Sequence, residues 1–284
     1  GEWLETTFTT KNYWTLFAAT QHDYVQLDDR SSRGGPLLQH GPAWHGEWSV
    51  ATDSRNRLVG SVFQRYWHRE NGAFDRDISF NLAYQPAPFL KVSVGPNWST
   101  SREYAHYVAE QPDAAAMATF GKRWVFGRVT QKQFQVATRL EWTFTPTLSL
   151  QLYAQPFVAA AKYDDMKELL RPASRDYLTY GTGGSTIARD GSGFVVDPDG
   201  ASGSADPFRF RDPSFDVRSG RGSAVVRWEF HPGSALFVTW TNERSAFGDS
   251  GDFRLREGIG GIGNARGEGV FLVKMSYLIP FAVH

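Results

Sequence analysis

The chain has 284 residues, with 30 basic and 30 acidic side chains, 41% hydrophobic and 15% aromatic residues, and no cysteine. That composition is too apolar for a disordered chain, and zero cysteine removes disulfide scaffolds and thiolate metal sites. The neutral balance lacks the basic excess of a nucleic-acid binder, so no nucleic-acid partner is expected.

The mean hydropathy is −0.41 despite ten Trp, eleven Tyr and twenty-one Phe. Apolar residues interleaved with polar ones explain that combination better than one oily core. No run approaches the roughly 20 apolar residues of a spanning helix. The most apolar segment, Val270 to Val283, is broken by Lys274, Ser276 and Pro280, and Gly1-Glu2-Trp3-Leu4 reads as no signal peptide. A closed β-barrel is the other way to satisfy backbone polar groups in lipid, and its signature is alternation between turns.

Taken in chain order, strands are expected at about 2–10, 13–27, 43–54, 57–69, 73–85, 89–108, 120–144, 147–162, 214–230, 234–247 and 267–282. In the fifth, Ile78, Phe80, Leu82 and Tyr84 oppose Ser79, Asn81 and Ala83; in the sixth, Leu90, Val92, Val94 and Trp98 oppose Lys91, Ser93 and Asn97. The seventh alternates Phe134, Val136, Thr138, Leu140, Trp142 and Phe144 with Gln133, Gln135, Ala137, Arg139, Glu141 and Thr143. A period of two sends such sets to opposite faces of a strand. The eighth opposes Leu148, Leu150, Leu152 and Ala154 to Ser149, Gln151, Tyr153 and Gln155. Ala224, Val226, Trp228 and Phe230 then face away from Val225, Arg227 and Glu229, and Leu236, Val238 and Trp240 from Phe237, Thr239 and Thr241. The last strand sets Phe271, Val273, Met275, Tyr277, Ile279 and Phe281 on one side. Helical periodicity is confined to Asp164–Leu170.

Two architectures fit: a soluble sandwich, or a transmembrane antiparallel barrel with its apolar side toward lipid. Strand length, strand-end aromatics and the links favour the barrel. Short links at 11–12, 54–56, 85–88, 145–147 and 231–234 alternate with longer ones near 28–42, 109–119, 163–213 and 248–268, and only 70–72 is short on the long side. Tight periplasmic turns and long external loops predict that alternation. Eleven strands is an odd number, whereas bacterial single-chain barrels have an even one. Residues 1–284 are therefore expected to be one region forming the C-terminal part of a larger barrel. Its wall would be completed by an N-terminal segment of the same protein or by another chain, within outer-membrane lipid.

Lys91, Gln133, Gln135, Arg139, Glu141, Gln151, Gln155, Arg227, Glu229 and Lys274 are the expected lumen-lining residues. Tyr84, Trp98, Trp142, Phe144, Trp228, Phe230, Trp240, Tyr277 and Phe281 are the expected lipid-interface aromatics.

Several pieces resemble a known family. They are Arg33-Gly34-Gly35-Pro36, Trp44, Ala51-Thr52-Asp53-Ser54-Arg55, Val125-Phe126-Gly127-Arg128, the run Phe144 to Phe157, Val226 to Phe230, Pro232-Gly233-Ser234, and Phe271 to Lys274. Together, over nearly the whole chain, they resemble the C-terminal outer-membrane β-barrel domain of unknown function found in bacterial carbohydrate-binding family 9-like domain-containing proteins. The resemblance implies a preceding carbohydrate-binding-module-like domain and further strands. It supplies no activity and no catalytic residue.

Candidate chemistry is sparse. The seven histidines, His22, His40, His45, His68, His106, His231 and His284, show only the loose His40/His45 spacing, so no metal is expected. Asp190, Asp197 and Asp199 lack the register of an EF-hand, and Gly258–Gly269 has no phosphate-loop spacing. Arg33-Gly34-Gly35-Pro36 reads as a loop-shaping turn. With no nucleophile elbow or local triad motif, neither an enzyme nor a cofactor is expected. The functional expectation is a bacterial outer-membrane channel or transporter for polar solutes, glycans among them. The alternative is an anchor or assembly component whose external loops bind a partner.

Overall fold

The computed structural model describes residues 1–279; Phe281 and His284 lie outside the described residues. The strands are β1 (Glu2–Thr9), β2 (Thr15–Asp23), β3 (Gln26–Asp28), β4 (Leu38–His40), β5 (Ala43–Ala51), β6 (Leu58–Arg69), β7 (Phe74–Ala87), β8 (Leu90–Pro112) and β9 (Lys122–Thr145). They continue with β10 (Leu148–Leu169), β11 (Tyr177–Thr179), β12 (Thr186–Asp190), β13 (Gly193–Asp197), β14 (Phe208–Arg211), β15 (Phe215–His231), β16 (Ser234–Gly248) and β17 (Arg266–Ser276). One short helix, α1 (Leu255–Gly261), interrupts the strands.

Eleven of these strands form one antiparallel sheet in the order β1-β2-β5-β6-β7-β8-β9-β10-β15-β16-β17, with β11 pairing alongside β10. These eleven correspond to the expected strands. The sheet is not closed: among the described residues β1 and β17 each pair on one side only. Its links segregate as the sequence suggested. At one end lie the turns at 88–89, 146–147 and 232–233, the last held by Gly233 at φ 78°, in the left-handed region that glycine enters without a Cβ clash. At the other end run residues 24–42, 113–121, 170–214 and 249–265.

The loop end departs from expectation. Asp164–Leu170 is not helical: β10 continues through Leu169, and a register shift between Asp164 and Lys167 disturbs the two-residue pattern there. The expected loop 163–213 contains a three-stranded sheet, β12-β13-β14, and the expected loop 248–268 contains α1. Extension of β8, β9 and β10 beyond the other strands gives this end something to pack on.

The buried core is here. Val125, Val129, Ala161, Tyr163, Met166, Tyr180, Val196 and Phe210 form one cluster; Leu38, Trp124, Phe126 and Leu169 form another. Gly35 lies so close to the Trp124 ring that a Cβ there would come within 2.6 Å of it, which explains the glycine in Arg33-Gly34-Gly35-Pro36. In the wall the pattern reverses. Phe80, Leu82, Tyr84, Trp142, Phe144, Leu152, Trp228 and Trp240 are all exposed, on the same face by register. The separation of a packed cap from an uncovered wall predicts that Phe126→Ala, at a fully buried site, costs about 3–5 kcal/mol of cap stability. Hydrogen exchange should accelerate in 122–129 and 166–180 and stay unchanged in 134–144; equal acceleration in both would contradict this.

Candidate functional site

The wall's register sorts its side chains into two sets. On the apolar face, Trp142 lies beside Leu90 and Leu150, Leu140 beside Val92 and Leu152, and Phe134 beside Trp98 and Val158. No charged side chain occupies this face between Ile78 and Tyr84 on β7, Leu90 and Trp98 on β8, Phe134 and Phe144 on β9, or Leu148 and Val158 on β10. On β9 the band from Phe134 to Phe144 spans eleven residues, ten rises of about 3.3 Å or ~33 Å, and ~25 Å in height for a strand tilted by roughly 40°.

Of the expected interface aromatics, Tyr84, Trp142, Phe144, Trp228, Phe230 and Tyr277 gather near the short turns. Trp142 and Phe144 have ring centroids 4.4 Å apart, and Phe230 stacks on Tyr277 at 6.5 Å. Trp98 is not at a strand end: it touches Phe134 and the Phe253 ring of the 249–265 link. Trp240 lies between Ala224 and Phe271.

The expected polar set occupies the other face. Lys91, Glu141 and Gln151 share one rung of β8, β9 and β10, without an ion pair between Lys91 and Glu141. The Arg139 guanidinium lies 5.3 Å from the Tyr153 ring centroid; Tyr153 Oη donates to Gln155 Oε1 at 2.7 Å, and Gln155 Nε2 donates to Gln135 Oε1 at 2.9 Å. Gln133 sits between Ser99 and Ala159. Arg227 donates to Glu229 at 2.6 Å on its own strand rather than across the sheet, and Lys274 shares the rung of Phe237 and Arg227. Arg139, Glu141, Lys91, Ser93, Asn81 and Ala83 border one hollow of about 280 Å³.

A larger cleft of about 540 Å³ opens on this polar face at the loop end, between β6–β9 and the 24–42 and 170–177 segments. Its wall side carries Trp67, Arg69, Asp75, Ser101, Glu103 and Gln131, and Ser31, His40 and Tyr177 face them. Asp28 accepts from the backbone amides of Arg30 and Ser31, from Ser31 Oγ, and lies 3.1 Å from His40 Nε2. These hydrogen bonds outweigh burial and hold its carboxyl well below the usual range. Asp23 is similarly engaged with Gln21 and His45. Both carboxylates near Arg69 are thus committed elsewhere, and among the described residues its guanidinium has no ion-pair partner; it lies 4.9 Å from the Trp67 ring centroid. An apolar ring face beside unspent hydrogen-bond donors suits a polar solute with a flat or cyclic body.

Sequence reasoning missed this cleft. On β6, Tyr66 and Trp67 place aromatic rings on both faces, which blurs the alternation, and the facing residues come from the distant 24–42 segment. The other motifs have structural surroundings: Asp197 and Asp199 accept amide hydrogens from Gly200, Ser204 and Ala205, and Asp190 pairs with Arg209. His106 Nδ1 lies 2.9 Å from Tyr163 Oη.

No family model matches the chain, and no curated protein matches it.

Beside the cleft, beyond the apolar band, Lys167 is 1% exposed and its Nζ lies 3.6 Å over the ring of Tyr104. Burial lowers its pKa to about 8. The folded state therefore binds this proton less tightly than the unfolded chain, so cap stability should rise as pH climbs from 8 toward the ordinary lysine range near 10.4. Lys167→Met should lack that rise. Denaturant-dependent proteolysis of the cap at pH 7 and pH 10 checks this; a pH-independent difference between wild type and variant would refute it.

Proposed function

We propose that this chain is part of the wall of a bacterial outer-membrane β-barrel whose polar face conducts or holds polar solutes, glycans among them. One observation carries the reading: an eleven-stranded sheet presents an aromatic-rich face, uncharged across the β7–β10 band, that no second sheet covers among the described residues. If each exposed large side chain contributes on the order of 100 Å², the band far exceeds the roughly 300–600 Å² patches of soluble monomers. At about 25 cal/mol per Å², leaving it in water would be a heavy penalty that lipid removes.

The edges support an incomplete wall. Unpaired N–H and C=O groups along β1 and β17 would each cost several kcal/mol in hydrocarbon. Further strands, from an N-terminal segment of the same protein or from another chain, would pair them. In this reading the short turns are periplasmic, the folded cap is external, and Lys91, Arg139 and Glu141 face the lumen. No catalytic step is assigned to the chain.

A second reading, an anchor whose external loops bind a partner, draws support from β12-β13-β14. This small sheet packs against Val129, Ala161 and Tyr163, positions continuous with the polar face, and so lies over the lumen side of the loop end.

Planar-bilayer recording of the complete protein separates the two. The channel reading expects ohmic conductance, with Lys91→Glu plus Arg139→Glu shifting the reversal potential toward cation selectivity. Stable insertion without conductance, together with a stoichiometric partner held by 170–214, would replace it with the anchor.

A further inference from the structure

We propose that Arg76, Arg102 and Lys132 form a binding site for the phosphate of membrane-lipid headgroups at the loop-end border of the apolar face. The inference rests on the membrane reading above and adds a ligand that reading does not specify.

The three cations occupy adjacent strands. Arg76 is paired in register with Thr100, and Thr100 with Lys132; Arg102 is paired with Phe74 and with Thr130. Register puts Lys132 on the face of Arg76, and contacts with Phe74 place Arg76 and Arg102 together. The Arg76 guanidinium lies 5.2 Å from the Tyr66 ring centroid and 5.0 Å from that of Phe74, while Arg102 lies 5.3 Å from Phe74 and donates from Nε to Thr130 Oγ1 at 3.3 Å. Arg76 and Lys132 are exposed.

None of the three has a carboxylate within ion-pair distance among the described residues, whereas neighbouring cations do: Arg128 pairs with Asp164 and Asp165, Lys162 with Asp252, Arg123 with Asp113 and Glu168. Alternation sends the nearby Asp75 and Asp77 to the opposite face, where Asp77 accepts from Asn97; Asp75 borders the cleft, as does Arg102 at its edge. The ring contacts restrain both guanidinium groups, and apart from Arg102 Nε on Thr130 their N–H donors have no hydrogen-bond partner among the described residues, which leaves them free for phosphate oxygens.

Position selects the ligand. Arg76, Thr100 and Lys132 lie two residues along their strands from Ile78, Trp98 and Phe134, the last apolar rung of the band. A phosphate joined to acyl chains can engage the cations while its chains cover the adjoining apolar face; a free phosphate engages only the exposed cations. Basic residues just above an apolar surface are the usual pattern for anionic headgroups.

The test uses the full chain in a neutral detergent, with native mass spectrometry as readout and diphosphoryl lipid A, its dephosphorylated form and inorganic phosphate as probes. Wild type should retain diphosphoryl lipid A about tenfold more than Arg76→Gln/Arg102→Gln/Lys132→Gln. A polar-face control, Arg65→Gln/Lys91→Gln, should match wild type, Arg65 lying on that face beside Asp77, and dephosphorylated lipid should be retained weakly. Equal retention by wild type and triple variant would overturn the site, and displacement by millimolar inorganic phosphate would overturn its assignment to lipid. Co-flotation with phosphatidylcholine vesicles separates the two levels: both proteins should float, showing that the variant folds. A wild type that does not float sinks the membrane reading and the lipid site together, whereas flotation with phosphate-independent retention sinks the site alone.

Discussion

The two-residue period of the wall strands is the constraint on which the other features depend. It assigns every second side chain to one face, and within the band from Ile78 to Tyr84 on β7, Leu90 to Trp98 on β8, Phe134 to Phe144 on β9 and Leu148 to Val158 on β10 that face carries no charge while the opposite one carries Lys91, Arg139, Glu141 and the glutamines. A one-residue register slip in any strand would bring its polar set onto the uncharged face, so the same hydrophobic patterning that selects a solvent also fixes the pairing. The tight turns at 88–89, 146–147 and 232–233 hold that register at one end.

The loop end obeys a different rule. There β8, β9 and β10 outrun their neighbours and the chain buries side chains in the manner of a water-soluble domain, around Phe126, Val129 and Val196. Burial also brings charge inward. Arg123 bridges Asp113 and Glu168 at 2.6 Å each, with Glu168 only 3% exposed; burial raises the pKa of Glu168 although Arg123 opposes the shift. Truncating one partner of such a network leaves an uncompensated charge, so the cap is held as a unit. The cleft lined by Trp67 and Arg69 lies where this cap meets the polar face, and the Arg76–Arg102–Lys132 group lies at the same level on the apolar face. In the proposed setting, solute and lipid headgroup would meet opposite sides of one short stretch of wall.

The eleven wall strands were legible because alternation is local: Phe134 to Phe144 announces its two faces without reference to any other strand. Their ends were less so. β8 runs to Pro112 and β9 starts at Lys122, narrowing the expected 109–119 loop, because bulges between Glu103 and His106 and between Tyr107 and Ala109 interrupt the period. Gly193–Asp197 and its partners form a sheet through packing of Val196 and Phe210 on Tyr180, a tertiary effect that short apolar runs among glycines do not reveal. The cleft was invisible for the same reason, since His40 and Trp67 meet only through the fold. The polar row was predictable as a face, but not as the hydrogen-bonded chain Tyr153–Gln155–Gln135 with Arg139 over the Tyr153 ring.

The assignment of the apolar face to lipid is tested most directly by a spin-label scan, made clean by the absence of native cysteine. Single cysteines placed in turn from 133 to 144 would be labelled in the reconstituted protein and probed with oxygen and a water-soluble nickel chelate. A lipid-facing apolar side predicts oxygen accessibility at Phe134, Val136, Thr138, Leu140 and Trp142, and chelate accessibility at Gln133, Gln135, Arg139 and Glu141. Chelate access at both sets, or the loss of the two-residue period, would contradict it.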